Sequence, residues 1–215
     1  MNLLKDGVLV TLITSSLAGS PRNEPSLENK LLNDQLFNNK KEPELYLDKI
    51  NSRALSYSEI RKYLDKAYSK IKTPEYINLA VQLARSYVES KDNPYAVSNA
   101  GARGLYQIME ESWNEVMNEY SFDHAFDPYL NNIASLKHIL RIDTYLRQNY
   151  PGFEELPLEQ KRDLLNAAYN GGQGRLKSVG WDINAMPKET RDYVKKMRER
   201  TLEEEMKLYG LNAKG

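Results

Sequence analysis

The chain has 215 residues, and its 30 lysines and arginines balance its 30 aspartates and glutamates. A formal net charge of zero provides no strong attraction to nucleic acid or to an anionic membrane, so neither is expected as a partner. The chain contains no cysteine, which excludes disulfides, cysteine-ligated metals, a cysteine nucleophile and a lipid-modified N-terminal cysteine. Fifteen tyrosines against four phenylalanines suit half-buried aromatic residues with polar ends, including those that line sugar-binding clefts.

The N-terminal part differs in composition from the rest. An apolar run ends at Ser16-Leu17-Ala18, which has the small-x-small pattern of a signal-peptide cleavage site. We therefore expect residues 1–18 to be a signal peptide and the protein to be periplasmic or extracellular. The run is too short for a stable membrane span, and an ordinary N-terminal helix or tail is the alternative. Residues 19–55 are mostly polar and are expected to form a tether. A catalytic domain is expected over residues 56–210.

Helix signals dominate the remaining sequence and strand signals are scarce, which predicts a mainly α fold without a second domain. Ser56 and Glu59 predict a capping box, while Thr73 and Pro74 predict the start of a helix that runs to about Ser90. The later signals are a capping box at Ser112 and Glu115, a long helix from Asp127-Pro128 to before Pro151, a helix from Pro157 to residues 169–172, and a last helix over residues 187–208 ended by Gly210.

Glu89 is the candidate acid and base. It follows an apolar helical run at the C-terminal end, where the apolar setting and the helix dipole both favour a protonated carboxyl. A carboxylic acid that keeps its proton near neutral pH can deliver it to the leaving oxygen of a glycosidic bond. Taken alone, such a glutamate is most simply a solvated residue at a helix end. The loop that follows at fixed spacing favours the catalytic interpretation.

That loop combines small residues with two polar side chains. Gly101 and Gly104 permit a backbone to pass close to a ligand. The Ser98 hydroxyl and the Gln107 carboxamide suit sugar hydroxyls and N-acetyl groups. Without the spacing to Glu89, this segment is typical of an ordinary turn.

Asp92 is a carboxylate three residues after Glu89 and therefore a candidate second group for a hydrolytic mechanism. Asn93-Pro94 breaks a helix there, which favours a solvated turn residue instead. His124 and His138 lack ligand partners at useful spacing and are expected to be surface or packing residues. No metal and no cofactor is expected.

Three segments resemble motifs of lytic transglycosylases with a lysozyme-like fold. Residues 89–107 resemble the signature E-S-x-x-N-P-x-A-x-S-x-x-G-A-x-G-L-M-Q. Residues 168–172 resemble the A-Y-N-A-G motif, with Gly172 in place of the usual alanine, and residues 187–194 resemble P-x-E-T-x-x-Y-V. The motifs stand in the family's order, and the resemblance covers roughly residues 73–197. The other departures are Asp92, where the family often has an aromatic or apolar residue, and Tyr106, where methionine is usual.

The resemblance implies a lysozyme-like domain that cleaves the β-1,4 bond between N-acetylmuramic acid and N-acetylglucosamine in peptidoglycan glycan strands. Glu89 would be the sole acid and base, and the product would carry a 1,6-anhydro ring. The residues expected to contact substrate are Ser98, Gln107, Tyr169, Asn170 and Tyr193, with the Tyr169 hydroxyl near Glu89. The alternatives are a lysozyme-type peptidoglycan hydrolase and a non-catalytic peptidoglycan-binding or assembly protein. Cell-envelope assembly partners are a further expectation.

Overall fold

The computed structural model describes residues 54–210, so the predicted signal peptide and the tether up to residue 53 lie outside the described residues. Its α-helices are α1 (Tyr57–Tyr68), α2 (Leu79–Ser90), α3 (Glu110–Val116), α4 (Pro128–Asn149), α5 (Leu158–Gly171), α6 (Gln173–Ser178) and α7 (Lys188–Tyr209). Short 3₁₀ helices occupy Phe122–Phe126, Phe153–Glu155 and Ile183–Ala185. Within residues 54–210 the only β pairing is a pair of isolated bridges around Arg103. The mainly α fold predicted from the sequence is confirmed.

The packing of α2 against α7 forms the centre of the domain and is its most extensive helix contact. Val81 and Ala84 of α2 meet Tyr193 and Met197 of α7 in one buried cluster. Helix α5 packs against the same side of α7 and also contacts α4. This arrangement brings the C-terminal end of α2 against the first half of α7.

The capping box at the first helix is present as predicted. The Ser56 N–H donates to the Glu59 carboxylate at 2.7 Å, and the Glu59 N–H donates to the Ser56 hydroxyl at 3.4 Å. Leu55, the last residue of the predicted tether, is buried, and its N–H donates to the Asp92 carbonyl at 2.8 Å. The chain is therefore attached to the domain from Leu55 onward.

The helix predicted to begin at Thr73 begins at Leu79 instead. Asn78 is its N-cap, with a side-chain oxygen that accepts a hydrogen bond from the Val81 N–H at 3.1 Å. Tyr76, in the preceding turn, is buried and donates from its hydroxyl to Asp143 of α4 at 2.7 Å. This tertiary contact outweighs the local start signal, because propensity is a weak determinant beside packing.

The capping box predicted at Ser112 and Glu115 is wrong, because α3 starts at Glu110 and its N-cap makes no side-chain hydrogen bond. Glu110 and Glu111 occupy the first turn, where the helix dipole favours negative charge. Trp113 is fully buried inside this helix. The start of the helix is thus set by burial of the indole and by the acidic first turn.

The remaining predicted helices agree with the structure. Asp127 caps α4 by accepting from the Leu130 N–H at 2.8 Å, with Pro128 in the first turn. Helix α5 reaches Gly171, and α7 ends before Gly210, whose φ is +64°. The short helix α6 and the 3₁₀ helices were not predicted.

Residues 93–108, the loop between α2 and α3, fold back on themselves. Arg103 and Ile108 exchange backbone hydrogen bonds at 3.0 and 3.1 Å. Gly104 has a φ of +80°, and a Cβ added there would lie 2.3 Å from the Ala125 carbonyl oxygen and 2.5 Å from Asn131 Nδ2. Only glycine fits at this contact between the loop and the start of α4.

Gly104→Ala should therefore destabilise the domain more than Gly101→Ala does. Both glycines have positive φ, at +80° and +87°, and such a conformation costs an alanine about 1–2 kcal/mol. A Cβ at Gly101 would have no atom of the described residues within 4 Å, so only Gly104→Ala adds a steric collision. Chemical denaturation of the two variants measures the difference. Equal losses of stability would contradict the close packing at Gly104.

Candidate active site

Glu89 lies in the last turn of α2 with its side chain partly buried. The buried Tyr193 of α7 donates its hydroxyl proton to Glu89 Oε1 at 2.6 Å. A hydrogen bond to a carboxylate is short and about twice as strong as one between neutral groups. The packing of α2 on α7 therefore fixes the position of the carboxyl group.

Opposing effects set the ionisation of Glu89. Burial raises the pKa of its carboxyl from 4.5 to about 7, while the hydrogen bond from Tyr193 and the positive charge of Arg85 act in the lowering direction. Protonated and ionised forms of Glu89 are consequently both populated near neutral pH. A group with such a pKa can give up a proton and take one back at little cost.

Tyr169 reaches the same region but makes a different hydrogen bond. Its hydroxyl donates to the backbone carbonyl of Tyr106 at 2.8 Å. Burial, followed by the nearby negative charge of Glu89, raises its pKa well above the ordinary value, so the phenol stays protonated. The tyrosine that hydrogen-bonds to Glu89 is Tyr193, whereas the resemblance had pointed to Tyr169.

Ser98 and Gln107 both hold the loop in shape. The Ser98 hydroxyl accepts a hydrogen bond from the Ala102 N–H at 3.0 Å. Gln107 Nε2 donates to the carbonyls of Ala96 and Gly104 at 3.1 and 3.0 Å. The amide oxygen of Gln107 and the hydroxyl proton of Ser98 take no part in these hydrogen bonds of the described loop. Neither residue contacts Glu89 through a hydrogen bond in the described part of the chain.

Asn170 is exposed at the end of α5, next to a position where the sequence departs from the family motif. Aligned letter by letter with A-Y-N-A-G, the residue in place of the alanine is Gly171, which corrects the assignment to Gly172. A Cβ on Gly171 would lie 2.4 Å from Met186 Cε and 2.7 Å from Thr190 Oγ1. The departure therefore accompanies a close approach of α5 to the start of α7.

Tyr106, which replaces the usual methionine, is fully buried. Its hydroxyl donates to Asn132 Oδ1 at 2.6 Å, and its backbone N–H donates to Asn131 Oδ1 at 3.0 Å. The phenol needs this partner, because a buried hydroxyl without one is costly. The exchange of methionine for tyrosine alters the support beneath the loop and not its exposed face.

Asp92 is half-buried, so its interpretation as a solvated turn residue is wrong. Its carboxylate accepts a hydrogen bond from the Ser86 hydroxyl at 2.7 Å, and its φ of +64° follows the left-handed Lys91. Burial raises its pKa, while the Ser86 hydrogen bond and the charge of Arg200 on α7 lower it. Asp92 braces the turn after α2 and faces α7.

Sequence reasoning missed Arg85, which is 1% exposed. Its guanidinium donates to Gln82 Oε1 at 3.2 Å and to Asn166 Oδ1 of α5 at 2.9 Å. It also lies 4.8 Å from the centre of the Tyr169 ring. The available signal was a charged residue inside the apolar run of α2, one helical turn before Glu89.

His138 of α4 packs edge-on against the Tyr169 ring at 5.3 Å. Burial, followed by the charge of Arg85, lowers its pKa to about 4, so the imidazole is neutral near neutral pH. Across residues 54–210, no three His, Cys, Asp or Glu side chains lie close enough together to hold a metal ion.

A family profile described as the transglycosylase SLT domain matches residues 62–191, more than half of the chain. The chain belongs to the transglycosylase SLT domain family. Membership supports peptidoglycan lytic transglycosylase activity in general, with peptidoglycan of the cell envelope as the substrate. A comparison with curated proteins finds no match. In the described part of this SLT-family chain, no helix is long and apolar enough to span a membrane.

Tyr193→Phe should raise the pKa of Glu89 by about one unit, because a donor to the ionised carboxylate is lost. Tyr169→Phe is the matched control, since its hydroxyl donates to a backbone carbonyl and not to Glu89. Titration of the Glu89 side-chain carboxyl by ¹³C NMR measures both variants. The same shift in both variants, or no shift in Tyr193→Phe, would contradict the hydrogen bond from Tyr193 to Glu89.

The raised pKa of Glu89 also predicts a pH-dependent cost to folding. Because the carboxyl ionises at about 7 in the folded chain and near 4.5 otherwise, stability should fall as pH rises between these values. Glu89→Gln removes this cost, which is up to about 3 kcal/mol. The variant should thus be more stable than wild type at about pH 8 and similar to it at about pH 4. Thermal melts across this range are the measurement, with the exposed Glu155→Gln as the control. A stability difference between Glu89→Gln and wild type that does not change with pH would contradict the raised pKa of Glu89.

Proposed function

We propose that this chain is a lytic transglycosylase that cleaves the bond between N-acetylmuramic acid and N-acetylglucosamine and leaves a 1,6-anhydro ring on the muramic acid. The observation that carries the proposal is the partly buried Glu89, with a pKa of about 7 and a 2.6 Å hydrogen bond from Tyr193. Export to the periplasm or the cell exterior is part of the proposal, because the glycan strands lie there.

In the first step, protonated Glu89 gives its proton to the oxygen that leaves with N-acetylglucosamine. The bond between that oxygen and the muramic acid C1 breaks. The carbonyl oxygen of the muramoyl N-acetyl group bonds to C1 and forms an oxazolinium ion, in the manner of substrate-assisted glycosidases. Glu89 is left as a carboxylate that accepts the Tyr193 hydrogen bond.

In the second step, the Glu89 carboxylate removes the proton of the sugar's own C6 hydroxyl. The C6 oxygen bonds to C1, and the oxazolinium ring opens to restore the N-acetyl group. Glu89 is protonated again, and no water is consumed. The nucleophile is held in the same sugar as the reacting carbon, so no second reactant has to be positioned.

The substrate would lie along the face formed by the loop and the end of α5. We assign substrate contacts to Ser98 and Gln107 of the loop, to Tyr169 and the exposed Asn170 of α5, and to Tyr193. The braced backbone of the loop supports this assignment, because a fixed surface loses little conformational entropy when it binds a sugar chain.

The position of Asp92 favours an internal nucleophile over an activated water. An inverting hydrolase needs a second carboxylate about 6.5–9.5 Å from the acid to hold a water between them. Asp92 is instead hydrogen-bonded to Ser86 and interacts with Arg200 of α7. It is therefore poorly placed to act as the base of a lysozyme-type reaction.

The test is digestion of purified peptidoglycan in ¹⁸O-labelled water, with mass spectrometry of the products. Wild type should release 1,6-anhydro products without ¹⁸O, and Glu89→Gln should be at least about 100-fold slower. Asp92→Asn, whose amide oxygen can still accept from Ser86, should give the same type of product as wild type. New reducing ends that carry ¹⁸O would indicate a hydrolase. Binding of peptidoglycan without cleavage would indicate a non-catalytic protein.

A further inference from the structure

We infer that Arg85 is a positioning residue whose buried guanidinium is the counter-ion for the Glu89 carboxylate. The inference rests on the proposed role of Glu89, and Arg85 is the group that would stabilise the negative charge of Glu89. It is carried by the burial of Arg85, by its neutral hydrogen-bond partners and by its place one helical turn before Glu89.

Arg85 is a buried cation with no ion pair within residues 54–210. Its hydrogen-bond acceptors, Gln82 and Asn166, are neutral amides, and its Nε–H has no acceptor among the described residues. Removing an arginine from water without a counter-ion is energetically costly. Lys161, another buried cation of this fold, has Glu154 as a partner at 3.7 Å. This cost at Arg85 calls for a compensating charge nearby.

Glu89 supplies that charge. Residues four apart on a helix lie on the same face one turn apart, so Arg85 and Glu89 point in the same direction from α2. The charge of Arg85 stabilises the ionised form of Glu89 and opposes the effect of burial. The two side chains are thus coupled without a direct salt bridge.

The tyrosines and the histidine around this pair stay neutral near neutral pH. They are Tyr193 from α7, Tyr169 from α5, Tyr106 from the loop, His138 from α4 and Tyr68 from α1. Burial raises the pKa of each tyrosine and lowers the pKa of His138. Among these described neighbours, Arg85 is therefore the one permanent charge that acts on Glu89.

A permanent cation suits the two steps proposed for Glu89. The carboxyl becomes negative when it protonates the leaving oxygen, and a nearby guanidinium lowers the energy of that charged state. Arginine keeps its charge throughout, and its planar fork is held by amides from α2 and α5. The field at Glu89 is consequently fixed before substrate binds.

Asn166→Asp tests the inference without leaving a cavity. Asn166 Oδ1 already accepts from Arg85 Nη2 at 2.9 Å, so an aspartate of the same shape would pair with the guanidinium and cancel its field at Glu89. The titration midpoint of the Glu89 carboxyl, followed by ¹³C NMR, should move upward by about one pH unit. The alkaline limb of the kcat/KM profile should move with it.

Matched variants separate charge from packing. Arg85→Met should raise the midpoint as Asn166→Asp does, and Arg85→Lys should keep it near the wild-type value. Lys161→Met removes a buried cation that lies on α5 instead of α2, and it should leave the Glu89 midpoint unchanged. If Asn166→Asp does not fold, the comparison of Arg85→Met with Arg85→Lys provides the same test.

An unchanged midpoint in folded Asn166→Asp or Arg85→Met would overturn the inference, as would an equal shift in Lys161→Met. The NMR titration does not depend on turnover. If Glu89→Gln kept full activity, the proposed function would fail. The NMR titration would still test the coupling of Arg85 to Glu89. If Glu89→Gln were inactive and the midpoint did not move, the inference alone would fail.

Discussion

Tyr193 and Glu89 meet at 2.6 Å because α2 and α7 bury their apolar faces against each other. The small side chain of Ala84 lies in that interface beside Met197, and it allows the two helices to approach closely. The hydrogen bond between them therefore depends on the core, and not on a flexible surface loop. Any change that separates the helices would alter the environment of the carboxyl as well as the stability of the domain.

The loop after α2 shows how a sequence motif can describe a shape more than a set of ligand contacts. Ser98 and Gln107 hydrogen-bond to the loop's own backbone. Asn131 of α4, fully buried, donates to the Ala125 carbonyl at 2.8 Å and accepts from the Tyr106 N–H at 3.0 Å. These polar groups therefore brace the backbone of the loop. Support of this kind is what the precise placement of a binding or catalytic group requires.

The sequence predicted the features that depend on neighbouring residues. The capping box at Ser56 and the Asp127-Pro128 helix start follow from contacts within a few positions, and the motif spacing pointed to Glu89 as the candidate acid and base. The features that were missed depend on residues far apart in the chain. Tyr76 shifts the start of α2 through a bond to a residue 67 positions away, and the partner of Glu89 lies 104 positions away. Such pairings follow from how the helices cross, which local patterns do not encode.

The burial of Arg85 has the same origin, because it depends on α5 supplying an amide to the guanidinium. The buried guanidinium also influences the pKa of Glu89. Burial alone would keep the proton on Glu89 at higher pH, and the hydrogen bond from Tyr193 and the charge of Arg85 oppose it. The surrounding tyrosines and His138 remain neutral near pH 7. Compared with these described neighbours, Glu89 is the group whose charge changes there, because its pKa is about 7. In the proposed mechanism, proton donation from Glu89 would create one negative charge beside the positive charge of Arg85, and the return of the proton would restore the starting state. On this proposal, burial of both groups costs the domain some stability and allows Glu89 to exchange its proton near neutral pH.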